Sequence, residues 1–178
     1  GVYRIDNVEF AGYLIEPGAD NVSEGNNLYL WNTALAQTRM WVFTEAGDGY
    51  VYWHPRNNVS LVIQGGDLDS YPSMAKNTGD DTQKWKIIKD ETSGNYRIQN
   101  KASGKYVATA NDANQQLIQM KEESAKTSLW IINELKASIS LEVSASYLQT
   151  GKTTNFAAIA KDASGAVISS GIRTVSSN

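Results

Sequence analysis

With 178 residues and a formal charge of −3, the chain can hold one full domain and part of a second, and it has no basic excess to steer it toward nucleic acid or an anionic membrane. The absence of cysteine excludes a disulfide framework, a thiolate metal site and a thiol nucleophile, and is compatible with the cytosol or with a secreted bacterial protein. No apolar run approaches the roughly 18 to 20 residues that a membrane-spanning helix needs. The start at Gly1 is expected to follow removal of any signal peptide.

In chain order, the segments VYRID, GYLIE, NLYLW and MWVF place aromatic and β-branched residues alternately with polar ones over four or five positions. Gly, Asn, Asp and Pro bound them, which is the pattern of short strands. The same order returns. YRIDN at Tyr3 to Asn7 is followed by YVYWH at Tyr50 to His54 and YRIQN at Tyr96 to Asn100, with spacings of 47 and 46 residues. MWVF around Trp41, KWKII around Trp85 and LWII around Trp130 are separated by 44 and 45. In the third unit NYRIQN, the turn KASG, KYVATA, the loop NDANQ, QLIQMK and LWIIN read as four strands with tight connections. Three such units predict about twelve strands, which must close on themselves to avoid exposed edges.

With YRI opening a repeat, SGK before its second strand and QxW before its last, residues 1–135 resemble the ricin-type β-trefoil lectins. The strongest matches are GNYRIQNKASGKYVATA and the QKW of Gln83 to Trp85, while Arg39 and Ser128 replace that Gln in the other repeats. The resemblance implies an all-β trefoil of three four-stranded repeats, about 1–47, 48–93 and 94–135. From residue 136 the character changes. All five tryptophans and eight of nine tyrosines lie before it, and nine serines lie within the remaining 43 residues. ISLEVSASYLQTGKTTNFAAIAKDASGAVISS alternates in strand fashion around QTGK and DASG, and resembles the opening strands of bacterial immunoglobulin-like modules. Residues 136–178 are therefore expected to form an incomplete immunoglobulin-like β-sandwich segment, since such a module takes about 100 residues.

Trp41, Trp85 and Trp130 occupy equivalent positions and are expected in the core, together with Tyr3, Tyr50 and Tyr96 and, two residues on, Ile5, Tyr52 and Ile98. Trp31 has no such counterpart: Ala75 and Lys121 stand at its position in PSMA and IQMK. Strand alternation buries Leu28 and Leu30 and turns Tyr29 and Trp31 to the other face. An outward indole suits the weakly apolar C–H face of a sugar ring, with hydroxyls met by planar polar groups. The other reading is a surface ring covered by the loop Pro17 to Asn27 or by the second module.

In the resembled family a sugar pocket combines such an aromatic with an acidic residue after the second strand and polar residues before the last tryptophan. Carried over, these fall on Glu16, Trp31 and Arg39, with Asp20, Asn26 and Asn32 nearby to line the rim. Glu stands where the family has Asp, and Thr38–Arg39 where it has Asn-Gln. Arg39 is expected to pair with Glu16 or to accept an anionic sugar. The third repeat has Ala108 and Lys121 at the acidic and platform positions, so no standard pocket is expected there. In the second, Trp53 is aligned with Asp6 and Gln99 and so is expected to face outward. With His54, Asp67, Asp69 and Tyr71 it forms a second candidate site, or else Trp53 and His54 fill the open end of the trefoil or meet the following module.

Asp67, Asp69, Asp80 and Asp81 lack the spacing of a calcium loop, the single histidine cannot build a multi-histidine zinc site, and no phosphate-binding glycine loop occurs. Glu122 and Glu123 are adjacent and should diverge, unlike the two carboxylates of a glycosidase. No cofactor is expected. The leading reading is non-catalytic binding of an oligo- or polysaccharide by a secreted or cell-surface bacterial module tethered to a glycan-degrading catalytic domain. The alternative is a protein-interaction or spacer domain that docks a catalytic domain or a surface partner.

Overall fold

The computed structural model describes residues 1–17, 22–32, 39–109, 117–123, 126–136, 138–143, 153–161 and 167–176. The chain divides into two compact units, Gly1–Glu134 and Leu135–Asn178.

The first unit carries twelve strands in three sets of four. These are β1 (Val2–Asn7), β2 (Leu14–Pro17), β3 (Leu28–Trp31) and β4 (Trp41–Gly47); then β5 (Tyr50–Pro55), β6 (Leu61–Gln64), β7 (Ser73–Lys76) and β8 (Lys84–Lys89); then β9 (Tyr96–Asn100), β10 (Tyr106–Thr109), β11 (Ile118–Lys121) and β12 (Trp130–Glu134). The first and fourth strands of each set pair antiparallel around a closed ring, β1–β4–β5–β8–β9–β12 and back to β1. Closure leaves the ring no free edge, which is how a long antiparallel sheet avoids templating aggregation. The second and third strands form the hairpins β2–β3, β6–β7 and β10–β11. The hairpins also meet one another, with Asn27 bridged to Ser73 and Tyr29 to Leu117. This is the closed twelve-stranded arrangement that the repeats predict, and the β-trefoil that the resemblance implies.

The repeat tryptophans hold hairpin to barrel. Trp41, Trp85 and Trp130 are fully buried, and their Nε1 atoms donate to the carbonyls of Ile15, Ile63 and Val107 at 3.1, 2.8 and 2.9 Å. An indole here fills the core and also satisfies a backbone acceptor that burial would otherwise strand.

The second repeat departs from the expected register by one residue. Trp130 opposes Asn7 and Trp85 opposes Asn100, but Trp41 opposes Pro55. Pro55 is thus the counterpart of Asn7 and Asn100, and Trp53, not Tyr52, takes the core place of Ile5 and Ile98. All three of those residues are fully buried, whereas Tyr3, Tyr50, Tyr52 and Tyr96 are half-buried. The cause lies in the β4–β5 turn, where Gly47, Asp48 and Gly49 all adopt positive φ and the pairing is irregular between Glu45 and Gly47. A shift of one residue exchanges the faces of a strand, so the outward orientation expected of Trp53 is corrected to an inward one. Its ring lies 5.0 Å from that of Trp41, 5.8 Å from Trp85 and 6.2 Å from Phe43.

The second unit is a three-stranded antiparallel sheet of β13 (Ser138–Val143), β14 (Thr153–Lys161) and β15 (Val167–Ser176) in the order β13–β14–β15. Its register runs from Ser138 opposite Lys161 to Val143 opposite Phe156, then from Thr153 opposite Ser176 to Lys161 opposite Val167.

Candidate functional site

The hairpin β2–β3 brings the first group of sequence-derived candidates together. Leu14 lies opposite Trp31, Ile15 opposite Leu30 and Glu16 opposite Tyr29. Opposed residues of an antiparallel pair share a face. Leu28 and Leu30 are buried while Tyr29 and Trp31 are half-buried, so Glu16, Tyr29 and Trp31 share the face turned from Leu28 and Leu30, with Leu14, opposite Trp31, fully buried on it. Arg39 closes the group, its Nε donating to Glu16 Oε2 at 2.5 Å, with the two side chains 17% and 15% exposed. The pair with Glu16 expected for Arg39 is present. Asn32 is exposed at the end of β3, whereas Asp20 lies outside the described residues.

The other repeats explain what the pair does structurally. Gln64 and Gln83 are the counterparts of Glu16 and Arg39. Gln83 is fully buried, and its Nε2 donates to Gln64 Oε1 at 3.2 Å and to the Lys76 carbonyl at 2.8 Å, while its Oε1 accepts from the Thr78 amide at 2.8 Å. The same tie between hairpin and barrel is an amide pair in repeat two and an ion pair in repeat one. In repeat three the positions hold Ala108 and Ser128, and Ser128 accepts from Arg97 instead. The platform positions are equally unlike: Trp31 in repeat one, Ala75 in repeat two and Lys121 in repeat three, where Asp69 of the neighbouring repeat holds the ammonium. Of the three platform positions, that of the first repeat alone is aromatic and has a carboxylate at its acidic position. Sequence reasoning aligned Gln83 with Arg39; what it missed is that Gln83 bonds Gln64 as Arg39 pairs with Glu16.

The second group of candidates does not assemble. Trp53 is buried in the core, and His54 is 7% exposed. The His54 Nδ1 lies 2.8 Å from the Leu61 carbonyl and its Nε2 2.8 Å from Thr44 Oγ1. A carbonyl only accepts, so Nδ1 carries the proton and Nε2 accepts from the Thr44 hydroxyl in the neutral ring. His54 therefore fastens β4 to β6. Asp67, Asp69 and Tyr71 lie on the β6–β7 loop and are exposed. Asp67 lines a cleft of about 230 Å³ with Gly66, Thr82, Asn100, Ala102 and Ser103, and Asp69 pairs with Lys121. Among the described residues, no cluster of three or more His, Asp or Glu is placed to hold a metal ion.

Comparison with known proteins agrees with this architecture. Residues 81–165 match a family model described as ricin-type beta-trefoil lectin domain-like, and no curated protein matches the chain. Among solved structures, the designed threefold-symmetric protein ThreeFoil superposes with a TM-score of 0.68 at 18% identity, over 75% of this chain and 99% of that one. A Polyporus squamosus lectin, solved with a human-type influenza-binding epitope, gives 0.65 at 15% identity, over 78% of this chain and 50% of the lectin. An exo-β-1,3-galactanase from Clostridium thermocellum gives 0.64 at 17% identity, over 74% of this chain and 29% of the enzyme. The closed ring and the three hairpins make residues 1–134 a β-trefoil, and its third repeat lies within the stretch that is similar to the ricin-type lectin-like family.

Proposed function

We propose that this domain binds carbohydrate without catalysing its conversion, through the outer face of the β2–β3 hairpin. The observation that carries the reading is the half-buried Trp31 on the hairpin face that also carries Glu16, which is paired with Arg39. The indole stacks on the C–H face of a pyranose, and the Glu16 carboxylate accepts from its hydroxyls. With Arg39 balancing Glu16, the pair has no net charge and favours a neutral sugar over an anionic one. A single shallow site of this kind gives a dissociation constant of about millimolar to micromolar, and avidity comes from linkage to other modules.

In its full setting the domain serves as a secreted or cell-surface bacterial module that holds a glycan-degrading enzyme on its polysaccharide. The three-stranded second unit is then the first part of an immunoglobulin-like spacer. The galactanase neighbour supports this setting, since a domain of this fold accounts for less than a third of that enzyme. The test is a glycan array read alongside intrinsic tryptophan fluorescence, with Trp31→Ala as the control. Binding to a neutral glycan that Trp31→Ala abolishes, at unchanged thermal stability, is the expected outcome. If no glycan binds, or if Trp31→Ala leaves glycan binding intact, the reading is wrong, and a protein-docking role for this face replaces it.

A further inference from the structure

The three hairpins share one outward register. Leu28 and Leu30, Met74, and Ile118 and Met120 are buried, while Tyr29 and Trp31, Ser73 and Ala75, and Gln119 and Lys121 are half-buried. The bridges between hairpins join these outward rows near the pseudo-threefold axis. Tyr29 is bridged to Leu117, which is itself half-buried. The Met120 amide donates to the Ser70 carbonyl at 2.9 Å and the Asp69 amide to the Met120 carbonyl at 2.7 Å. That pairing holds the β6–β7 loop, just before Tyr71, against β11. The Leu28 amide donates to the Pro72 carbonyl at 3.3 Å, which keeps the same loop against β3. Tyr71 is 47% exposed.

From this register we infer that the carbohydrate site does not end at Trp31 but continues as a stripe through Tyr29 and Leu117 to Tyr71, so that its ligand is an oligosaccharide laid across the hairpins of all three repeats. The inference rests on the carbohydrate reading of Trp31. Two residues along a strand separate Trp31 from Tyr29 by about 7 Å, and bridge partners lie about 5 Å apart at right angles to the strand, so Trp31 and Leu117 stand roughly 9 Å apart. That is about the length of two linked sugar rings, and alternating aromatic and aliphatic groups suit their repeated C–H faces.

The far end of the stripe is built rather than incidental. Asp69 adopts a φ of 64°, a left-handed conformation that Asp tolerates better than most non-glycine residues. Here Met120 holds its amide and Lys121 its carboxylate, while the Ser70 hydroxyl donates to the Asp67 carbonyl at 2.6 Å. Tyr71 is thereby presented on a fixed loop, which lowers the ordering cost of using it as a platform.

The test is an affinity ladder. Neutral gluco-, galacto-, manno- and xylo-oligosaccharides of one to six units are titrated against the intact chain, the Tyr71→Ala and Tyr71→Phe variants, and Trp31→Ala. In the series that binds, affinity should rise about five- to tenfold from the shortest ligand to the hexamer. Tyr71→Ala should remove that gain while leaving the shortest ligand's affinity within about twofold, and Tyr71→Phe should retain it. Trp31→Ala should abolish binding at every length. Equal affinity at all lengths, or an undiminished gain in Tyr71→Ala, overturns the extended site but leaves the carbohydrate reading standing. Absence of binding in every series overturns both. Circular dichroism of each variant shows that it is folded, and the phenylalanine variant, which keeps the ring, separates stacking from any local loop effect.

Discussion

Removing the Arg39 guanidinium tests whether the ion pair in repeat one does the structural work that an amide pair does in repeat two. Arg39→Ala leaves the Glu16 carboxylate, 15% exposed and 2.5 Å from its lost donor, without its charge-assisted bond. Breaking a fully buried pair costs about 3–5 kcal/mol, and a hydrogen bond to a charged group contributes about 1.5–3 kcal/mol. Because Glu16 keeps some contact with water, the lower range applies and the loss should be about 2 kcal/mol. For a chain of this size that is a fall in Tm of about 4–8 °C. The double variant Glu16→Gln/Arg39→Gln recreates the Gln64–Gln83 arrangement, whose Nε2 to Oε1 distance is 3.2 Å, and should stay within about 1 kcal/mol of the parent. Thermal unfolding followed by tryptophan fluorescence, at low salt and at high salt, checks both, and the pair's limited exposure makes the salt effect small. If Arg39→Ala melts within about one degree of the parent, or if the double variant is as unstable as the single one, the pair is not the counterpart of the amide tie and this reasoning fails.

Two further outcomes follow from the core. A Cβ at Gly65 would stand 2.7 Å from Trp85 Cη2 and 2.8 Å from Asn100 Nδ2, so Gly65→Ala should cost about 1–3 kcal/mol through overpacking, read as a lower urea midpoint. Trp53 and Trp85 are both fully buried, yet Trp85 donates its Nε1–H to Ile63 while the Trp53 Nε1 has no hydrogen-bond partner. Replacement by phenylalanine should therefore be less costly at position 53 than at position 85, by about 1–2 kcal/mol in chemical denaturation. Equal losses would mean that the Trp85 bond contributes nothing net.

Periodicity alone determined much of this protein. Tryptophans recurring at 44 and 45 residues can be satisfied only by three copies of one packing arrangement, and strand alternation separated Leu28 and Leu30 from Tyr29 and Trp31 with no partner strand in view. Those are local properties of the chain, written in every repeat. The register of the second repeat was not, because the connection from Trp41 to Pro55, through the turn of Gly47, Asp48 and Gly49, is one residue shorter than that from Trp85 to Asn100, and a tyrosine-anchored alignment has no term for a turn. Trp53 thus passed from an outward candidate to the core. The Glu16–Arg39 pair, the rigid Asp69 loop on Met120 and the stripe from Trp31 to Tyr71 join residues 23 to 88 positions apart. Only closure of the barrel, which brings the three hairpins against one another around a common axis, decides that they meet.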